Sequence, residues 1–573
     1  MTKDVWVPHD MVIQLQASAV EPEHLPQWLT ESWQESEGFY HMLKRSLDAL
    51  YSIHGASALF TKYDFFHDIV GRSRNTGAPA MVWFDSEGQK NELSWRELSS
   101  RASIKAAKWV RVGVEAGDSL CLIGAFGPDL ASDLMAAFKL GAVISILSPS
   151  GDRWMKNRLE ALSPKWIAID KPGAKRLKGW DEAILPPVAA DCDVPSDHRS
   201  FHGYASGDVV FRLFPSASGS AAEPVAVTSD TAYLSAARDG MLAMGLYPGM
   251  RVCAPGFDLM QSQPAFLLSA LLCGATTVHI TPAELVKWGR MPEEAEPDVL
   301  GVTPDVRDLV LEKGVGLPEG IGAWFKDPVS SFEYDRWQML ASKPALVESQ
   351  CFNMRWDAAF GGATVFSMRK KGMAHPGVLP MPGCPWQVGG AEKEAEALYH
   401  AGELHSGRVG ELEGDLLPTG LVLAAFGNSW MCTRGPEESR RGFCYPKGEV
   451  EALLAERSVE NDLFFRVVTY PRSDFKGTSM VVLLGFTGPR GGADFLDRLK
   501  GDVTRLITAE FGAEYVPDRI GLYPLYPKFE APGIPDAHWC RDAWISGTLS
   551  RRSRSRMFMY TTQLRSQLVT APP

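Results

Sequence analysis

The chain has 573 residues, 45% of them hydrophobic and 22% charged, with a net charge of −11. That length implies two or more domains. The composition is that of a soluble globular protein, and the mild acidic balance excludes a general nucleic-acid binder, which would carry a basic field. No segment approaches 18 uninterrupted apolar residues, so no membrane span is expected. The N-terminal stretch MTKDVWVPHDMVIQLQ is too polar for a secretory signal. Nine scattered cysteines without a C-x-x-C pair, and twelve histidines at no metal-ligand spacing, fit reduced thiols in the cytoplasm.

Residues 1–59 form an extension rich in Trp, Glu and His that reads as partly helical. Ala80–Phe84 is a strand that ends on a turn at Asp85–Gly88. A helix opens at Leu93–Leu98, with Ser94 as its cap and Glu97 three residues on. Ala102, Ala106, Trp109 and Val110 continue the helical spacing. Gly117–Asp118 turns into a strand at Ser119–Ile123, followed by a helix through Leu130–Leu140 and a strand at Ala142–Leu147. Such strand–helix–strand units predict a parallel sheet covered on both faces. The apolar run Val209–Phe214 then meets a loop of small and hydroxylated residues, and a second apolar run leaves it after Pro224. Ser and Gly in that loop let backbone N–H groups and hydroxyls approach phosphate oxygens. Near the end, apolar residues at 495, 499, 503, 506, 507 and 511 predict a helix over Asp494–Phe511, and Arg519–Tyr523 a strand. The basic run SRRSRSR at 550–556 reads as a solvated terminus or as a contact for an acidic partner.

Phe214–Thr228 resembles the phosphate loop of the adenylate-forming superfamily of acyl-CoA synthetases, non-ribosomal adenylation domains and luciferases. That family writes Ser-Gly-Thr-Thr-Gly-x-Pro-Lys-Gly, which aligns here with Ser218, Gly219, Ser220, Ala221, Ala222, Glu223, Pro224, Val225 and Ala226. Further segments follow in the family's order: Gly117–Ser150, Leu267–Ala275, the proline turn in Pro376–Gly389, GRVGELEG at 407–414 and Tyr445–Glu451. The resemblance covers residues 60–545. It implies an α/β fold with a large N-terminal domain of parallel α/β sheets at 60–433. A small mobile C-terminal α+β domain at 434–545 follows a hinge near Thr433–Glu438, and residues 546–573 form a tail. It also implies ATP- and Mg²⁺-dependent activation of a carboxylic acid to an acyl-adenylate. The acyl group then passes to a thiol or amine, on CoA, a carrier protein or an amine acceptor.

Carried over residue by residue, the resemblance places Ser216, Ser218, Gly219 and Ser220 at nucleotide phosphates, with Val225 where the family has lysine. Asp327 and Phe352 lie in segments that border the nucleotide. The family's Mg²⁺-ligating Thr-Glu pair becomes Arg355 and Trp356. Arg355 then either grips a phosphate or carboxylate directly, as a guanidinium can, or pairs with a neighbouring acid such as Asp357. The ribose-binding Thr-Gly-Asp becomes Thr419, Gly420 and Leu421, and Arg434 is either a second ribose contact or a solvated hinge residue. Ile534 stands where the family has its catalytic lysine; Lys528 is either a nearby substitute or a surface residue, and Lys326 is a further cation for the charge gap. Phe257 and Asp258 fall at the acyl pocket, with Asp258 either an ammonium ligand or a loop cap. Four altered electrostatic positions, each worth on the order of 10² to 10³ in rate, leave two readings beside a slowed ligase. One is an inactive member of the superfamily that binds an acyl compound or partner protein; the other is ATP-independent acyl chemistry in the same cleft.

Overall fold

The computed structural model describes residues 25–51, 62–73, 76–177, 179–186, 202–214, 223–257, 264–328, 334–389, 401–410, 416–426, 429–434, 439–440, 443–458, 463–471, 479–488 and 493–552. Two helices come first, α1 (Leu25–Gln34) and α2 (Ser36–Leu50). They clasp a distant turn. Tyr40 Oη donates to the Gly383 carbonyl at 2.7 Å and accepts the Gly410 N–H at 3.0 Å, while Ser32 Oγ accepts the Gly383 N–H at 2.9 Å. Phe39 fills the space over Gly383, whose φ of +78° suits the missing side chain.

Next come β1 (Pro79–Phe84), β2 (Lys90–Ser94) and α3 (Trp95–Arg111). The reciprocal capping box of Ser94 and Glu97 is present, as the spacing predicts. The strand–helix alternation then follows the sequence closely: β3 (Ser119–Ile123), α4 (Pro128–Leu140), β4 (Val143–Leu147), α5 (Asp152–Leu162) and β5 (Trp166–Ile169). With β6 (Val209–Leu213) and β7 (Val225–Thr228) these strands form a five-stranded sheet in the order β5-β3-β4-β6-β7. All its pairs are parallel except β6–β7.

A larger sheet begins after α6 (Ser229–Arg238), with β8 (Arg251–Cys253), α7 (Ala265–Leu272), β9 (Thr276–His279), β10 (Val299–Gly301), α8 (Pro304–Glu312), β11 (Ala323–Lys326), α9 (Tyr334–Ala341) and β12 (Gln350–Asp357). It continues through β13 (Gly362–Phe366), β14 (Gly377–Pro380), β15 (Trp386–Val388), β16 (Ala401–Ser406), β17 (Leu417–Phe426) and β18 (Ser429–Arg434). The path is β15-β16-β17-β18-β14-β13-β12-β11-β10-β8-β9-β1-β2. Only β1 and β8 through β12 run parallel; the strands beyond β12, and β2 at the far edge, are antiparallel. The expected parallel strand–helix–strand core is present in both sheets, and antiparallel strands extend it. The turn at Ala358–Gly361 is too short for a crossover helix, so it reverses the chain into a hairpin.

α3, α4, α6 and α7 lie between the two sheets and share one core with both, through Leu98, Leu134, Leu120, Ile144, Phe266 and Phe325 among others. Alternation decides which side each strand residue serves. Phe352, Met354 and Trp356 of β12 enter this central core, while Cys351 turns to the outer core under α8 and α9. Towards the C-terminus follow α10 (Lys447–Ser458), β19 (Phe464–Pro471), β20 (Ser479–Phe486), α11 (Ala493–Glu510), β21 (Arg519–Tyr523), β22 (Phe529–Ala531), β23 (Ile534–Pro535) and α12 (Ala537–Ile545). α11 and β21 fall where the periodicity predicts. The proposed hinge begins inside β18, which runs through Thr433 and Arg434; residues 435–438 lie outside the described residues.

Candidate functional site

The parallel strands β11 and β12 end side by side, with Lys326 opposite Asn353. Their carboxyl ends gather four of the expected site residues. Arg355, 2% exposed, donates from Nη1 to Asp327 Oδ2 at 2.7 Å. Its partner is thus an acid 28 residues upstream on the neighbouring strand end, and not Asp357, whose Oδ1 accepts the Ala359 N–H and caps the next turn. The Arg355 Nη2 group is buried without a hydrogen-bond partner. Such a group costs free energy unless an acceptor arrives. Phe352 is buried with its ring 5.4 Å from that of Phe325, and the Arg369 guanidinium lies 5.0 Å over it.

On the face of β12 that carries Phe352, opposite the one that carries Arg355, is an aromatic wall. The Trp356 ring centroid lies 5.5 Å from that of Phe325, 5.6 Å from Phe266 and 6.1 Å from Phe257. Gly301 of β10 forms the floor. A Cβ there would lie 2.6 Å from Phe325 Cζ and 3.0 Å from Phe257 Cε2, so the rings pack down onto bare backbone. Trp356 is 1% exposed, and its indole N–H has no acceptor. Phe257 is therefore joined to Phe352 through Phe325. Asp258, like Ser216, Ser218, Gly219 and Ser220, lies outside the described residues. The flanks of that loop are described: Leu213 pairs with Val225 across the β6–β7 hairpin, Glu223 is exposed and Val225 half-buried.

The other expected residues sit apart. Thr419 is buried in β17, where its hydroxyl donates to the Leu404 carbonyl at 2.7 Å and accepts the Leu421 N–H at 3.2 Å. Four strand spacings, roughly 19 Å, separate β17 from β12 in the sheet order. Leu421 is fully buried among Val365, Val378, Leu404 and Leu423. Arg434 ends β18 opposite Val422; its side chain lies outside the described residues. Lys528 is 65% exposed beside the β22–β23 hairpin and pairs with Asp536 at 3.3 Å, while Ile534 is 45% exposed.

Lys326 is the least expected member of the group. It is 1% exposed, with its ammonium 5.6 Å from the Trp337 ring. Burial pushes its pKa down from 10.5 to about 8, against the pull of Cys351 and Asp327. The unfolded chain keeps that proton up to pH 10.5, so between pH 8 and 10.5 it binds more protons than the folded chain, and stability rises with pH across this window. Lys326→Met is expected to raise the denaturant midpoint below pH 8 and to flatten the rise above it. Equilibrium unfolding followed across the window checks both. Nearby, burial pushes the His375 imidazole down to about 4, so at neutral pH it adds no positive charge.

No family model matches the sequence, and no curated protein matches it. Solved structures do match in shape. An artificially fused adenylation–PCP di-domain NRPS from Klebsiella oxytoca superposes with a TM-score of 0.61 at 14% identity, over 81% of this chain and 94% of its own. Acetoacetyl-CoA synthetase from Streptomyces lividans gives 0.59 at 13% identity, over 94% and 93%. A double mutant of o-succinylbenzoate CoA synthetase from Bacillus subtilis, bound with a product analogue, gives 0.63 at 13% identity, over 84% and 99%. This is the adenylate-forming fold. Within it, the chemistry of the donor set can be tested against a metal-bound nucleotide. Mg²⁺ takes oxygen ligands and ribose hydroxyls need acceptors, yet Trp356 presents an N–H and Leu421 a hydrocarbon. Among the described residues no group of three or more His, Cys, Asp or Glu is placed to hold a metal ion. These side chains do not fit Mg²⁺ and ATP at the positions that the resemblance assigns. In this adenylate-forming fold the described residues offer instead a half-engaged arginine, a buried lysine and an apolar wall.

Proposed function

We propose that this chain uses the adenylate-forming scaffold to bind a carboxylate-bearing acyl compound without activating it at an enzyme's pace. One observation carries the reading. Trp356, at the place where the resemblance puts a metal-ligating glutamate, is packed among Phe257, Phe266 and Phe325 at 1% exposure. A side chain held by three rings cannot swing aside to admit a hydrated cation without opening a cavity. The unpartnered Arg355 Nη2 supports an anionic ligand, because Asp327 holds only Nη1 and the second guanidinium nitrogen still needs an acceptor.

A slow ligase with CoA, a carrier protein or an amine as acceptor is the second reading. The two cations Arg355 and Lys326 favour it, since they stand beside each other's strands and supply positive charge near the expected site. Titration calorimetry separates the two. Mg·ATP is expected to give no heat of binding, while at least one of a panel of carboxylic acids binds and is weakened roughly tenfold or more by Arg355→Ala, the scale of one charged hydrogen bond. Pyrophosphate exchange driven by any acid in the panel would transfer the conclusion to the ligase.

A further inference from the structure

Residues 443–552 and the five-stranded sheet have a common core. Ile123 and Leu147 from the sheet meet Trp154 of α5, and these pack with Tyr445, Leu453 and Phe511 of the C-terminal elements. The seam over this core is polar and closely fitted. Glu449 of α10, 7% exposed, accepts from Arg158 Nη1 at 2.8 and 3.1 Å and from Asn157 Nδ2 at 2.6 Å. Arg158 is itself held flat, with its guanidinium 4.2 Å over the Trp154 ring and 5.6 Å from Phe214. Arg153 forks onto Glu456 at 2.8 and 2.5 Å. Gly151 donates its N–H to the Phe511 carbonyl at 2.9 Å, and a side chain at 151 would overlap the backbone of Glu510 and Phe511. Ser150 Oγ donates to Glu514 at 3.0 Å.

We infer that this seam is a latch that fixes residues 443–552 in one pose against α5, with Glu449 as its keystone. The unit that the resemblance makes mobile is held still in this chain. Undocking would expose the common apolar core and give up the charge-assisted hydrogen bonds that Glu449 accepts from Arg158 and Asn157. The inference needs only the seam and holds whether or not the cleft binds an acid.

Pulsed dipolar spectroscopy on the full chain tests it. Spin labels go on Glu348→Cys beyond α9 and Arg505→Cys on α11, both of which are about four-fifths exposed. The otherwise unaltered chain is expected to give one narrow distance, unchanged by Mg·ATP or a carboxylic acid. Glu449→Ala is expected to broaden it or to add a second distance in roughly a tenth or more of the molecules, a population that such a two-state balance allows. Should that variant fail to fold, Arg153→Ala, which removes only the outer fork onto the exposed Glu456, is expected to broaden the distance to a smaller extent. Two distances in the unaltered chain overturn the latch. A narrow single distance in Glu449→Ala overturns the keystone.

Discussion

Trp356→Glu is expected to destabilise the protein by more than 4 kcal/mol or so and to produce no pyrophosphate exchange. Removing a buried tryptophan costs about 3–5 kcal/mol through lost transfer energy and the cavity left behind. The new carboxylate would sit among Phe257, Phe266 and Phe325, where no donor waits for it. Burying it adds a penalty of several kcal/mol unless it stays protonated. Restoring the family's residue therefore does not restore a metal site, because the surroundings have changed with it. Trp356→Phe keeps most of the packing and removes the orphaned N–H, so it is expected to cost little. Thermal and denaturant unfolding of the two variants rank them. A stable Trp356→Glu protein that exchanges pyrophosphate would show the aromatic wall to be a recent cover over a working site.

Asp239→Ala is expected to cost about 3–5 kcal/mol, the range for removing one partner of a buried ion pair. Arg238 and Asp239 are adjacent at the end of α6, 1% and 0% exposed, and bond at 2.8 Å. Asp239 also accepts the Ala363 N–H at 2.6 Å, and Arg238 donates to the carbonyls of Ala363 and Pro382. The pair thereby ties α6 to β13 and to the turn that the N-terminal helices clasp. Without the carboxylate, the guanidinium loses its counter-ion and the Ala363 N–H its acceptor. The double change Arg238→Met with Asp239→Leu is expected to recover only part of the loss. Apolar replacements often rescue buried pairs, but here three backbone groups remain to be satisfied. Denaturant midpoints of the single and double variants decide the partition.

Much of the scaffold is written locally and is legible from sequence. The Ser94–Glu97 capping box, the strands Ser119–Ile123 and Arg519–Tyr523 and the long amphipathic α11 all lie where spacing puts them. What escapes is whatever depends on strand neighbours. Arg355 finds Asp327 because β11 and β12 run parallel, and no local pattern points 28 residues back. The wall over Gly301 draws Phe257, Phe266, Phe325 and Trp356 from four separate segments, so none carries a periodic signal for it. The antiparallel half of the large sheet was hidden by its short, mixed segments. Lys528 is open from sequence between a substitute for the lysine missing at Ile534 and a surface residue; in the fold it is exposed and pairs with Asp536 at the start of α12.

The clasp of α2 on the distant turn has a consequence for biogenesis. Tyr40 bonds to Gly383 and Gly410, which lie 343 and 370 residues later. At ribosomal speeds of about 5–20 residues per second, the first helices wait roughly 20–70 s for the groups that secure them. Throughout that interval Phe39, Leu43 and Leu47, all destined for the interior, stay available to chaperones and to wrong partners. Translation speed and holdase supply, more than final stability, should therefore govern how much of this protein matures.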